Sequence, residues 1–272
     1  MTSPLSLNDS EKYRSAGFLF PTRVMSELEA SDLLAEIEYV EEHQLESIGG
    51  NLEHKPHLLL TALNKLVRNT KLLDTVEGLI GPNILCWGGS FFSKEANDPA
   101  FVSWHQDATY WGLSGDEVLT AWVALSPATV ESGAMRAIEG SHLQTKAKHV
   151  ETYNKDNLLS RGQEAQGDFN PDLMVDMVLQ PGEVSFHHIN LMHSSEPNRS
   201  NKRRVGYAIR YISTSVKSHF EGDSAMLVRG IDKHNNFLPE ESPKNDFSEL
   251  GIRNYIDANT RHKELLFQRS QE

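Results

Sequence analysis

His105 and Asp107, with His193 far along the chain, are residues of the types and spacing that hold a metal ion. Side chains alternate faces along an extended strand, so the imidazole and carboxylate of His105-Gln106-Asp107 are expected on one side of it. One more imidazole from a distant strand, for which His193 is the candidate, completes a set of two nitrogens and one carboxylate. Such a set takes one face of an octahedral Fe(II) and leaves three positions for a co-substrate and O2. The tripeptide alone is a weak signal. With twelve His among 272 residues, chance supplies about 0.6 His-x-Asp matches, so the case rests on the surroundings.

Those surroundings offer further chemistry. Pro181-Gly182-Glu183 reads as a turn, Val184 to Phe186 starts a strand, and His187, His188 and His193 follow. Arg203 and Arg204 then open an apolar strand through Val205, Tyr207, Ile209 and Tyr211. The planar fork of an arginine beside a metal can grip the far carboxylate of 2-oxoglutarate with two parallel hydrogen bonds. Ser195 can add a hydroxyl to the same carboxylate. Next to the metal strand, Tyr110 and Trp111 are candidates to hold a cationic amine by cation–π contact. Lys94, Arg136 and Arg210 are candidate anion partners, Glu131 a candidate amine partner, and His187 or His188 could support the site from behind.

Helices and strands must position these groups. Asn8 or Asp9 can cap a first helix that Gly17 ends. Ser26 and Glu29 make a capping box for a second, striped by Leu28, Leu33, Leu34, Ile37 and Val40. Leu58 to Val67 and Leu72 to Ile80 read as a helical pair stopped by Gly81-Pro82. From Asn83 the period becomes extended. The expected strands are Ile84 to Phe92, Phe101 to His105, Val118 to Leu125, Met135 to Ile138, Met174 to Leu179, Val184 to His188 and Arg204 to Ser213. The fold class this predicts is mainly β with flanking helices, a double-stranded β-helix of jelly-roll or cupin-like type. The expectation is one domain over 1–272, with helical support mostly in 1–82 and the jelly-roll core about 83–213. A polar insertion, 143–173, is a candidate lid, with Tyr153, Arg161, Gln163 and Asn170 in reach of a substrate. The segment 214–272 reads as a C-terminal tail, charged from Asp246 to Glu272 with a weak helical pattern at Leu265, Leu266 and Phe267.

Composition removes other classes. A formal net charge of -12 argues against a nucleic-acid partner, which needs a basic stripe. The single Cys86 excludes an internal disulfide and a cysteine-rich zinc site, and its apolar neighbours mark it as a buried thiol. Thr2-Ser3-Pro4 begins the chain without a basic or apolar leader, and no apolar run approaches a membrane span. The expectation is a soluble cytoplasmic protein acting on a small molecule, with no membrane partner.

The same residues carry a family likeness. From about Phe18 to Ile212, and most strongly at Phe101 to Trp111, Ala121 to His142 and Pro181 to Tyr211, the chain resembles the phytanoyl-CoA dioxygenase family of Fe(II)/2-oxoglutarate-dependent oxygenases. The resemblance implies His105, Asp107 and His193 as iron ligands. It implies Arg204, eleven residues past the last of them, and Ser195 as carboxylate binders, with Trp122 lining the co-substrate. Ser132 and Glu139 depart from the family's Asn-Gly…Pro-Gly-Ser-His block, a change that bears on the loop rather than the metal. Halogenating relatives lack the carboxylate; Asp107 is present, so hydroxylation with release of succinate and CO2 is expected. The block from Trp104 to Trp111 resembles bacterial members that hydroxylate aminoalkylphosphonates. Other readings are a hydroxylase of another small amine or acid or of an acyl-CoA, a non-catalytic jelly-roll binding protein, and a zinc hydrolase.

Overall fold

The computed structural model describes residues 5–269; Thr2-Ser3-Pro4 and the side chains of Leu265, Leu266 and Phe267 lie outside the described residues. Helix α1 (Leu7–Ala16) is capped by Ser6, whose Oγ accepts from the Asp9 amide at 3.0 Å, rather than by Asn8 or Asp9. Asp9 sits instead in the first turn, where its charge suits the helix dipole. Gly17, at φ 85°, ends the helix and releases the chain into β1 (Phe18–Arg23). The Ser26–Glu29 capping box opens α2 (Glu27–His43), which buries Ala30, Leu33, Ile37 and Val40; Leu28 falls off that stripe and is exposed. Helix α3 (Thr61–Val67) starts later than expected because Pro56–Leu58 forms a 3-10 turn, and α4 (Thr70–Ile80) starts two residues earlier because Asn69 caps it.

The strands are β2 (Ile84–Lys94), β3 (Val102–His105), β4 (Val118–Ala124), β5 (Met135–Ile138), β6 (His149–Glu151), β7 (Gln163–Ala165), β8 (Met174–Met177), β9 (Glu183–His188), β10 (His193–Ser195), β11 (Arg204–Ser213), β12 (Ser224–Arg229) and β13 (Leu238–Pro239). A single turn, α5 (Ala108–Trp111), follows β3, and α6 (Glu249–Arg269) closes the described chain. One sheet runs β1-β9-β4-β11-β2-β12-β13 and a second β3-β10-β5-β8, with β6-β7 as a separate hairpin. This is the expected jelly roll of two sheets.

Period-two alternation divides the larger sheet between two jobs. Leu119, Ala121 and Val123 of β4, Val184 and Phe186 of β9, and Val205, Tyr207, Ile209 and Tyr211 of β11 pack with α2, α3 and α4 into the main core. The intervening residues, including Thr120, Trp122, His187, Arg204 and Arg210, face the cavity between the sheets.

The segment read as a tail carries regular elements within 214–269: β12 extends the large sheet, pairing Met226 with Cys86. Asn259 and Tyr255 of α6 clamp the backbone at His54 and Glu53. The candidate lid, 143–173, carries the β6–β7 hairpin. Its hairpin packs on β3, where Ser103 Oγ donates to the Gln163 carbonyl and accepts from Asn157 Nδ2 at 2.8 Å. Among the described residues, no helix is long and apolar enough to cross a membrane.

Gly206 lies under the Trp122 indole; a Cβ there would sit 1.8 Å from Trp122 Cζ2. Gly206→Ala should therefore push Trp122 out of place and lower stability by about 1–3 kcal/mol, as read from denaturant unfolding. An unchanged midpoint would show that the indole has room to move.

Candidate metal centre

The imidazoles of His105 and His193 meet because β3 and β10 pair them directly, antiparallel, and their rings lie 4.1 Å apart between centroids. One ligand atom from each of His105, Asp107 and His193 lies within 4.8 Å of the others, and all three residues are buried. Each histidine places its Nδ1 against the carbonyl two residues earlier, Ser103 at 2.9 Å and Leu191 at 3.0 Å. Donation to a carbonyl assigns the proton to Nδ1 and turns Nε2 toward the cluster as the metal-binding atom.

Asp107 arrives by a different route from the one the strand pattern predicts. Strand β3 ends at His105, and Asp107 already has helical angles, φ -54° and ψ -40°, at the start of α5. The turn is held by the buried Gln106, whose side chain donates to the Asn190 carbonyl at 2.7 Å and accepts from the Ala147 amide at 2.9 Å. The Ala108 amide adds a bond to the Ile189 carbonyl. The carboxylate then reaches the cluster: Oδ1 is 3.4 Å from His105 Nε2. Its Oδ2 is approached by Thr120 Oγ1 at 3.4 Å and His187 Nε2 at 3.7 Å. Burial alone would raise this carboxyl, but the contacts with His105 and His187 and the field of His193 outweigh it and hold it well below the usual range. Burial, reinforced by neighbouring His105 and His187, holds His193 neutral by depressing its pKa. An ionised carboxylate with a neutral imidazole is the protonation state a divalent metal needs.

A cavity of about 540 Å³ opens on the cluster. On its wall Arg204 is 3% exposed, and its guanidinium lies 5.3 Å from the Trp122 ring. Nη1 makes one long bond to the Phe92 carbonyl, and the buried Nε has no partner. A buried cation so poorly matched marks a place prepared for an anion. Burial lowers its pKa to about 10, leaving it charged at neutral pH. Ser195 lines the same end, with its Oγ accepting from Lys94 Nζ at 2.7 Å.

The structure therefore gathers His105, Asp107, His193, Arg204, Ser195, Trp122, Tyr110 and Trp111 around one cavity. It does not bring Lys94, Arg136 or Glu131 to the substrate side. Lys94 is fully buried and gives its ammonium to Ser195 and Glu196. On β5, alternation turns Met135 into the cavity and Arg136 away, where it forms a two-point ion pair with Asp176 across the strand at 2.6 and 3.3 Å. Glu131 is exposed on a turn. Of the 143–173 residues, Gln163 lines the cavity, Arg161 pairs with Glu151 at 3.0 Å, Tyr153 is exposed, and Asn170 caps a 3-10 turn. His187 faces the cluster, while His188, of opposite parity, packs near Tyr13 and His142. Missed altogether were Thr120 and the stacked pair His54 and His262, rings 4.1 Å apart, which bring α6 into the cavity wall.

The sequence model of the family "Phytanoyl-CoA dioxygenase (PhyH)" matches residues 13–206. A probable alpha-ketoglutarate-dependent hypophosphite dioxygenase of Stutzerimonas stutzeri is 33% identical over 56% of this chain and 55% of its own length, so the chain spans about half of that relative. An ectoine dioxygenase of Bordetella parapertussis is 24% identical over 77% of this chain and 76% of its own length. Among solved structures, the non-heme monooxygenase ThoJ in its apo form superposes with a TM-score of 0.87 at 34% identity, covering 96% of this chain and 98% of that one. CytC3 with Fe(II) and alpha-ketoglutarate, at 22% identity, shares the fold with a TM-score of 0.67 over 91% and 98% of the two chains.

Protons compete with a metal only below a ligand's own pKa, and the depressed values of Asp107 and His193 move that competition to lower pH. Calorimetric Fe(II) titrations under nitrogen should show fewer protons displaced per ion near pH 6 than the two that a pair of ordinary imidazoles would release. A two-proton dependence would contradict the burial of His193.

Proposed function

The chain belongs to the phytanoyl-CoA dioxygenase family of Fe(II)/2-oxoglutarate-dependent oxygenases, and on that premise we propose that it hydroxylates an unactivated carbon of a small polar metabolite at an iron held by His105, Asp107 and His193. The observation that carries this reading is the unmatched guanidinium of Arg204 beside three converging ligands. A zinc hydrolase would have no use for it, and a binding protein would have no use for the intact triad.

A bound iron would couple the loss of CO2 from 2-oxoglutarate, which becomes succinate, to the reduction of O2 that oxidises the substrate carbon. The chain's own residues bind and orient. Arg204 takes the far carboxylate of the keto acid through two parallel hydrogen bonds. Ser195 accepts from Lys94, so its own hydroxyl proton is free to be given to that carboxylate. Trp122 backs the guanidinium and fills the space above Gly206. Gln106 and Thr120 hold Asp107 where the strand would not, and the two sheets with their helices, as one domain, frame the cavity.

For the substrate, the reading is an aminoalkylphosphonate such as 2-aminoethylphosphonate. Three things support it: a cavity sized for a small metabolite, the aromatic rings of Tyr110 and Trp111 on its wall, and a relative named for a phosphorus oxyacid.

Succinate formation from 2-oxoglutarate should require Fe(II), disappear with a chelator, and rise with one member of a panel of phosphonates, amines and hydroxy acids. Arg204→Met should weaken 2-oxoglutarate by about 2–5 kcal/mol, read as its concentration dependence. Turnover with no phosphonate would remove that substrate class, and no Fe(II)-dependent succinate under any condition would remove the oxygenase reading.

A further inference from the structure

Strand β11 turns two guanidiniums into the cavity, and 2-oxoglutarate accounts for one. Arg204 and Arg210 share the inward face, about 20 Å apart along the strand, with the small Gly206 and Ala208 between them. Arg204 pairs in register with Lys94, whose ammonium holds Ser195. Arg210 pairs with Thr120, whose hydroxyl reaches Asp107 Oδ2. The two cations thus stand on opposite flanks of the ligand cluster.

Other cations near the cavity are already neutralised. Arg203 pairs with Glu41 at 2.9 Å and Glu95 at 2.8 Å, and Arg161 with Glu151. Arg210 differs. It is partly buried, donates to Ser90 Oγ at 3.0 Å and lies 5.4 Å from the Trp111 ring. Among the described residues it has no carboxylate in ion-pair reach, and the acidic group whose field reaches it is Asp107, which a metal would claim. A planar donor fork held rigid over an aromatic ring is suited to a small oxyanion.

The geometry points to Arg210 as the anchor for a phosphonate or carboxylate group on the substrate, with Ser90 beside it and Trp111 beneath. This rests on the oxygenase reading for the side of the metal that substrate occupies, and it replaces Lys94 and Arg136 as the anion partner. An anion held there, against Trp111 and away from Arg204, would leave the substrate's carbon chain pointing at the ligand cluster.

Calorimetry on the full chain loaded with Fe(II) and 2-oxoglutarate under nitrogen tests it, with methylphosphonate and propionate as separate probes. The expected result is saturable binding of at least one probe, weakened about 10- to 100-fold by Arg210→Met and partly restored by Arg210→Lys. Arg204→Met should do the reverse, weakening 2-oxoglutarate more than the probe. Binding of methylphosphonate alone identifies a phosphonate head group, and of propionate alone a carboxylate. No binding of either probe by the wild type, or equal binding by wild type and Arg210→Met, overturns the assignment. Should Arg210→Met fail to fold in a thermal melt, Arg210→Lys decides, since losing the fork must still weaken the probe. A wild type that does not take up 2-oxoglutarate contradicts the oxygenase reading instead, and the same probe titrations on metal-free protein still judge Arg210.

Discussion

The register in which β10 meets β3 governs everything that happens in the cavity. His193 stands directly opposite His105, at the separation where cross-strand side chains touch. A slip of one residue would turn His193 to the far face and offer Met192 or Ser194 in its place. Three residues of strand cannot specify that register by themselves. It is set from the other edge, where β5 pairs His193 with Ala137, the Ile138 amide bonds to the Met192 carbonyl, and Ser141 Oγ receives the Met192 amide. The smaller sheet is therefore a jig for two imidazoles, and Gln106 bends the chain so that a carboxylate joins them.

Around this jig the fold collects charge that it does not neutralise. Asp107, Arg204 and Arg210 lie in or against a low-dielectric cavity with few partners of opposite sign. Isolated buried charges are costly. On the proposed reading a divalent ion, a dicarboxylate and a substrate anion would each remove part of that cost, so binding of each should also stabilise the folded chain by mass action. Alternation on a single strand separates the two faces of the large sheet: Val205, Tyr207 and Ile209 anchor it to the helices while Arg204 and Arg210 face the cavity.

Long, periodic stretches were legible in advance. Met135 to Ile138 and Arg204 to Ser213 have the bounds that their pattern implies, and the Ser26–Glu29 capping box opens its helix. Convergence of His105, Asp107 and His193 could also be read from residue type and order, though for Asp107 by the wrong geometry, since strand parity does not survive the turn into α5. Parity misled at Arg136 because a basic residue beside a cavity strand can face either way, and an acid at Asp176 took it outward. Lys94 was misplaced because an ammonium can serve the scaffold as well as a ligand. Nothing local marks His54 or His262: they meet only when α6 returns across the sheet, a contact between distant segments that no spacing reveals.

The most direct test is a crystal structure of the protein soaked with Mn(II) and 2-oxoglutarate under nitrogen, with anomalous scattering used to place the metal. The account predicts one strong peak bonded to His105 Nε2, His193 Nε2 and an Asp107 oxygen, with the far carboxylate of the keto acid on Arg204. Metal bound elsewhere, or a keto acid that leaves Arg204 without a partner, would contradict it.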